Sequence, residues 1–145
     1  MASKRSELLG ALKSLLLAQC PWAKVVAWEQ IRLLSSDFQD HELPCVQFYH
    51  VRTDYTPQQG RVEARMQFNV EVCLKSNANS SVDQQALFDR MDDILKAVGT
   101  NPNLGIPGMI HLRLLSDETD THTIVPHYLG ILAFEATYLT TYTGC

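Results

Sequence analysis

Between Arg61 and Lys75 apolar and polar residues alternate without a break. Val62, Ala64, Met66, Phe68, Val70, Val72 and Leu74 fall on one side, and Arg61, Glu63, Arg65, Gln67, Asn69, Glu71, Cys73 and Lys75 on the other. A period of two belongs to a β-strand, which places every second side chain on one face. At about 3.3 Å per residue the run reaches roughly 50 Å if straight, against a usual strand of about five to six residues. Such a strand is expected to outrun the core of its own domain and to offer itself to another chain, which favours an assembly component over an enzyme.

The rest of the chain divides by the same criterion. From Ser3 to Ala18, Leu8, Leu9, Leu12, Leu15 and Leu16 recur at helical spacing, and Pro21 closes that helix at or before Cys20. Trp22 to Leu34 stays open: Val25, Val26 and Ala27 suit a strand, while Gln30 to Leu34 suits a second helix or a loop. Ser35 to Glu42 reads as an exposed connection. Leu43-Pro44 launches a strand over Cys45 to Tyr55, and Asp54 to Gly60 carries the proline and glycine of a turn into the long strand, making an antiparallel hairpin.

After the polar break at Ser76 to Ser80, Ser81-Val82-Asp83-Gln84 has the form of a capping box. It opens a helix near 82–98 with the apolar stripe Leu87, Met91, Ile94, Leu95 and Val98, stopped by Gly99. A loop at Thr100 to Gly108, a strand at Ile110 to Leu114, a polar cluster at Ser116 to Thr123 and a long strand at Tyr128 to Tyr142 follow, with Gly130 marking a bend or bulge. The predicted fold is α+β: a single two-layer domain over residues 1–145, with an antiparallel sheet of about four strands and long hairpins. An N-terminal helix and the helix near 82–98 flank that sheet.

Composition narrows the function classes. The 145 residues are 46% hydrophobic and 19% charged, ordinary for a globular domain that can bury a core without metals or disulfides. No run approaches the roughly 20 apolar residues of a membrane span, and Leu8 to Cys20 is broken by Gly10, Lys13, Ser14 and Gln19, so a protein made in the cytosol is expected. The net charge of −4 gives no support for general nucleic-acid binding. Cys20, Cys45, Cys73 and Cys145 are far apart and sit beside no His at ligand spacing, which suggests neither a zinc site nor a disulfide framework.

Candidate chemistry is sparse. Asp117, Glu118, Asp120, His122 and His127 form the densest group of potential ligands, but a solvated turn explains them equally, and their spacing matches neither a calcium loop nor a His-Glu-x-x-His helix. Nucleophile-elbow, phosphate-loop and dinucleotide fingerprints are all missing. Glu63 and Glu71 share a strand face but lie about 26 Å apart, too far to act on one bond. No catalytic, cofactor-binding or metal residue is therefore assigned, and no cofactor is expected. The polar face of the long strand, Arg61, Glu63, Arg65, Glu71 and Lys75, is either a solvent-facing side or a subunit contact in which mixed charges fix register. His111 has an outward position in its strand, and Tyr142 is placed to anchor an interface.

The N-terminal helix, the strand opened by Leu43-Pro44-Cys45-Val46, the polar hairpin at Asp54 to Gly60, the long alternating strand, the Asp-containing helix and the Thr- and Tyr-rich strand at Phe134 to Tyr142 together resemble a known family. They are similar to the tail terminator and tail completion (neck) proteins of long-tailed bacteriophages. The resemblance implies a non-enzymatic virion protein, assembled in the bacterial cytoplasm as a homo-hexameric ring. Such a ring caps the tail tube, stops its polymerisation and meets the head-tail connector or neck, while phage DNA passes through without specific binding. It makes the hairpin residues Tyr55, Gln58, Gln59 and Arg61 candidates for ring contacts, beside Glu63, Arg65, Glu71, Lys75, His111, Arg113 and Tyr142. The alternatives are a neck adaptor at an adjacent position, which assembles only on its partner, and a small metal- or ligand-binding domain with its site near His111, Asp120, His122 and His127.

Overall fold

The computed structural model describes residues 3–29, 39–76, 80–119 and 127–141. In chain order it contains α1 (Lys4–Gln19), β1 (Val25–Ala27), a single 3-10 turn at Asp40–Glu42, β2 (Cys45–Gln58), β3 (Arg61–Lys75), α2 (Ser80–Gly99), β4 (Met109–Thr119) and β5 (His127–Thr140). The strands form one sheet in the order β1-β2-β3-β5-β4. Both helices pack against one face of it, giving the two-layer α+β arrangement.

The sheet has five strands and is mixed rather than four-stranded and antiparallel. Val25 to Ala27 pairs parallel with Cys45 to Gln47, which resolves the front of the ambiguous stretch as a strand. Its later part, residues 30–38, lies outside the described residues, as do 77–79, 120–126 and 142–145. All other pairings are antiparallel.

β3 is the central strand. It pairs with β5 along its length, from Val62 opposite Thr140 to Lys75 opposite His127. Its apolar set Val62, Ala64, Met66, Phe68, Val70 and Val72 is 0 to 2% exposed, so this strand does not outrun its domain. The reason is the flanking β5, which carries Tyr138, Ala136, Phe134 and Leu132 into the same core under the helices. Phe68 and Phe134, opposite each other, stack with ring centroids 5.4 Å apart.

The helices form where their apolar stripes can meet that layer. α1 opens at Ser3, whose hydroxyl accepts from the Ser6 N–H at 3.2 Å, and it buries Leu8, Leu9, Leu12 and Leu16. α2 buries Leu87, Met91, Ile94 and Val98 as its periodicity requires, but begins at Ser80. Ser81 and Gln84 therefore lie within the helix instead of forming its cap, and Ser76 Oγ donates to Asp83 Oδ2 at 2.8 Å in the first turn.

Two local expectations give way to packing. The turn expected over Asp54 to Gly60 shrinks to Gln59-Gly60, since Gln58 already pairs with Arg61 and Gly60 supplies φ +68°. Pro57 is accommodated inside β2 because, among the described residues, that part of the strand has no neighbour but β3. Gly130 marks no bulge: the β3–β5 register runs through it unbroken. A Cβ there would stand 2.6 Å from Met91 Sδ and 3.2 Å from Leu87 Cδ1, so the missing side chain is what lets α2 lie close on β5.

Candidate assembly surface

Because the even residues of β3 face the helices, its odd residues and their neighbours build the second face of the sheet. Towards the hairpin this face carries charge in rows. One row runs Asp54, Arg65, Thr137, His111 across β2, β3, β5 and β4, and the next runs Arg52, Gln67, Glu135, Arg113. Thr56 opposite Glu63 and Gln58 opposite Arg61 complete it.

Most of these charges already have partners within the chain. Arg113 places Nε and Nη2 at 3.1 and 2.8 Å from Oε1 of the nearly buried Glu135. Arg52 Nη2 lies 2.7 Å from Asp54 Oδ1, Arg65 Nη2 lies 3.9 Å from Glu63 Oε2, and His111 Nε2 is 3.4 Å from Thr137 Oγ1. The arginines keep about half of their side-chain surface in solvent, which leaves them able to meet a second surface without breaking these pairs.

The residues singled out from sequence separate into groups. Gln58, Arg61, Glu63, Arg65, His111 and Arg113 share the charged half of the second face, with Gln59 in the turn at its end. Tyr55, opposite Ala64, projects on the helix side of the hairpin instead and is 37% exposed. Lys75 is exposed at the far end of β3, ten residues or roughly 33 Å from Arg65. Tyr142 lies outside the described residues.

Glu71 belongs to the interior. It is 2% exposed, accepting from Gln47 Nε2 at 2.9 Å and from the Tyr49 hydroxyl at 3.3 Å, while Asn69 Nδ2 donates to that same hydroxyl at 3.3 Å. Register puts Gln47 opposite Glu71, so the carboxylate is held within the sheet. Burial, with the neighbouring Glu71 charge adding to it, raises the Tyr49 phenol above its usual 10.0.

The two described histidines of the proposed ligand site are not brought together. His111 is level with Thr137 and His127 with Lys75, at opposite ends of β5, and His127 is buried. Asp120 and His122 fall outside the described residues; among those described, no group of three or more His, Cys, Asp or Glu side chains is placed to hold a metal ion.

Sequence reading missed the exposed apolar positions. β2 carries an extra residue at Val51, and β4 carries two, at Ile110 and Leu115. Each such bulge turns its side chain outward: Val51 is 46%, Ile110 51% and Leu115 41% exposed. The doublet Leu114-Leu115, which breaks the alternation of β4, was the available signal. Both strands also present an outer edge: among the described residues β4 pairs with β5 alone, and β2 beyond Gln47 pairs with β3 alone.

No protein-family model matches this chain, and no curated protein does. Among solved structures it is similar to a chain of the "Virion of native gene transfer agent (GTA) particle", with a TM-score of 0.55 over 91% of this chain and 94% of that one. The likeness is one of fold. Sequence identity is 15%, so the fold, more than any shared side chain, relates the two. No described helix is long and apolar enough to cross a membrane.

Proposed function

We propose that the protein is a non-enzymatic virion component that closes into a ring by self-association, caps the tail tube of a phage-like particle and joins it to the connector or neck. The observation that carries the virion reading is the fold likeness to a chain of the gene transfer agent virion, which extends over nearly the whole of both chains. The sequence resemblance to tail terminators points the same way.

The two sheet edges support self-association. Three antiparallel steps separate β2 from β4, so these outer strands run in opposite directions. The β4 edge of one copy set beside the β2 edge of the next therefore continues the antiparallel order. Such a contact is heterologous, and repeated by rotation it closes a ring. The bulged Val51, Ile110 and Leu115 give that contact an apolar component, and the charged rows lie beside it to fix register. A net charge of −4 suits a wall past which DNA moves, because phosphate-neutralising cations are what retain nucleic acid.

Solution mass by light scattering over a range of concentrations, with negative-stain images of the main species, tests the reading. A stable ring of about six copies with an open centre is expected. A chain that stays monomeric alone but assembles on tail tube or connector fits the neck adaptor, and a monomer that assembles on neither overturns both.

A further inference from the structure

Cys45 and Cys73 stand directly opposite each other on β2 and β3, at the root of the long hairpin. Opposed residues of an antiparallel pair project on the same face, with Cα atoms about 4.5 or 5.5 Å apart according to their place in the ladder. Either spacing lies inside the range of about 4.4 to 6.8 Å that a disulfide spans. Both side chains are 0 to 1% exposed and belong to a small apolar cluster with Leu43 and Leu129, backed by Val25 and Ile131. Cys20 caps the C-terminus of α1 and packs in the other cluster, on the helix side of the sheet. Among the described cysteines the juxtaposition is therefore particular to this pair, although the spacing of cysteines along the chain gave no sign of it.

We infer that Cys45 and Cys73 form a dithiol that closes into a cross-strand disulfide when the protein meets a disulfide oxidant such as oxidised glutathione. One cysteine, as thiolate, attacks a sulfur of the oxidant. The S–S bond of glutathione breaks and a mixed disulfide forms with loss of one glutathione thiolate. The second cysteine then attacks the protein sulfur of that mixed disulfide and expels the other glutathione thiolate. Two cysteine thiols are oxidised, one glutathione disulfide is reduced, and the two protons leave with the glutathione thiols. Burial shields both sulfurs in the folded state, so the exchange proceeds while the hairpin is forming or transiently open. The product is a covalent staple joining residues 45 and 73 across the root of the hairpin. It stands apart from the ring proposal, since a single copy carries both sulfurs.

The test refolds the full chain from urea in glutathione buffers of graded redox ratio, quenches with acid, alkylates the remaining thiols, and maps disulfides in a non-reducing digest. A Cys45→Ala chain is treated in parallel. The expected result is a Cys45–Cys73 cross-link in the unaltered chain at ratios where the variant forms no internal disulfide. It is accompanied by a Tm roughly 5–10 °C above that of the reduced protein. Alkylation of all four cysteines, glutathione adducts left on Cys45 or Cys73, a different pairing, or a Tm that falls on closure would each overturn the proposal.

Discussion

Gln47 Nε2 donates across the β2–β3 ladder to Glu71 Oε2 at 2.9 Å, in a place where both side chains are almost wholly shielded from solvent. A buried carboxylate that loses a donor retains its desolvation cost without that compensation. Gln47→Ala is expected to destabilise the fold by about 1–3 kcal/mol. Urea unfolding followed by far-UV circular dichroism reads this as a lower midpoint at unchanged slope, and an unchanged midpoint would mean the bond contributes little.

Gly130 makes a second, sterically distinct prediction. A methyl group there meets Met91 Sδ at 2.6 Å, so Gly130→Ala must push α2 or the Met91 side chain away from β5. The cost expected for overpacking is about 1–3 kcal/mol. In a Met91→Ala background the same substitution should cost markedly less, and a double-mutant cycle by chemical unfolding measures the difference. Equal costs in the two backgrounds would place the strain elsewhere.

The edge positions separate assembly from folding. Val51 and Leu115 are exposed bulge residues, so Val51→Lys and Leu115→Lys should each change stability by no more than about 0.5 kcal/mol. On the proposed edge-to-edge contact each should nonetheless reduce the assembled mass seen by light scattering, because an apolar side chain is replaced by a hydrated charge. A variant that still forms the full ring removes its position from the contact.

Alkaline stability should report on Cys20. Burial, reinforced by the negative charge of Asp93 and opposed by Arg90, pushes its thiol up from 9.0 to about 11. Between those values the unfolded chain releases its proton first, so the folded state binds more protons and stability falls as pH rises. Tyr49, also raised, adds to the decline above 10.0. Urea melts across this window should flatten in Cys20→Ser relative to the unaltered chain. Parallel slopes in the two proteins would assign the decline to other groups.

The elements most legible in sequence were those with long, unbroken periods. Fifteen alternating residues left β3 no other conformation, and the α2 stripe needed no tertiary information to be seen. β1 was hard because three residues make too short a pattern and its parallel partner lies twenty residues away at Cys45 to Gln47. Pro57 reads as a turn residue in isolation; only the position of this part of β2 at the edge of the described sheet shows why a strand tolerates it. Glu71 was misplaced for a related reason. Alternation tells which face a residue is on, but whether that face is wet depends on the cross-strand partner, here Gln47.

Half of the candidate surface was visible beforehand. Arg61, Glu63 and Arg65 follow from strand period alone, and their alignment with His111 and Arg113 follows from β5 coming between β3 and β4, which local pattern does not encode. The bulges were less legible because an extra residue in a ladder is defined by two strands at once.

The place of β5 beside the central β3 also has a consequence for how the molecule is made. β3 leaves the ribosome with its apolar row complete, yet its ladder partner on one side is the last of the described strands, with Val62 waiting for Thr140. Closing so long a loop is entropically costly and slow, and until it happens β3 is an open, apolar strand able to pair with the wrong neighbour. The yield of folded protein would then be set by how quickly β5 inserts. Substitutions that weaken β5 should show first as insoluble protein during synthesis, before any loss of stability is seen in the material that does fold.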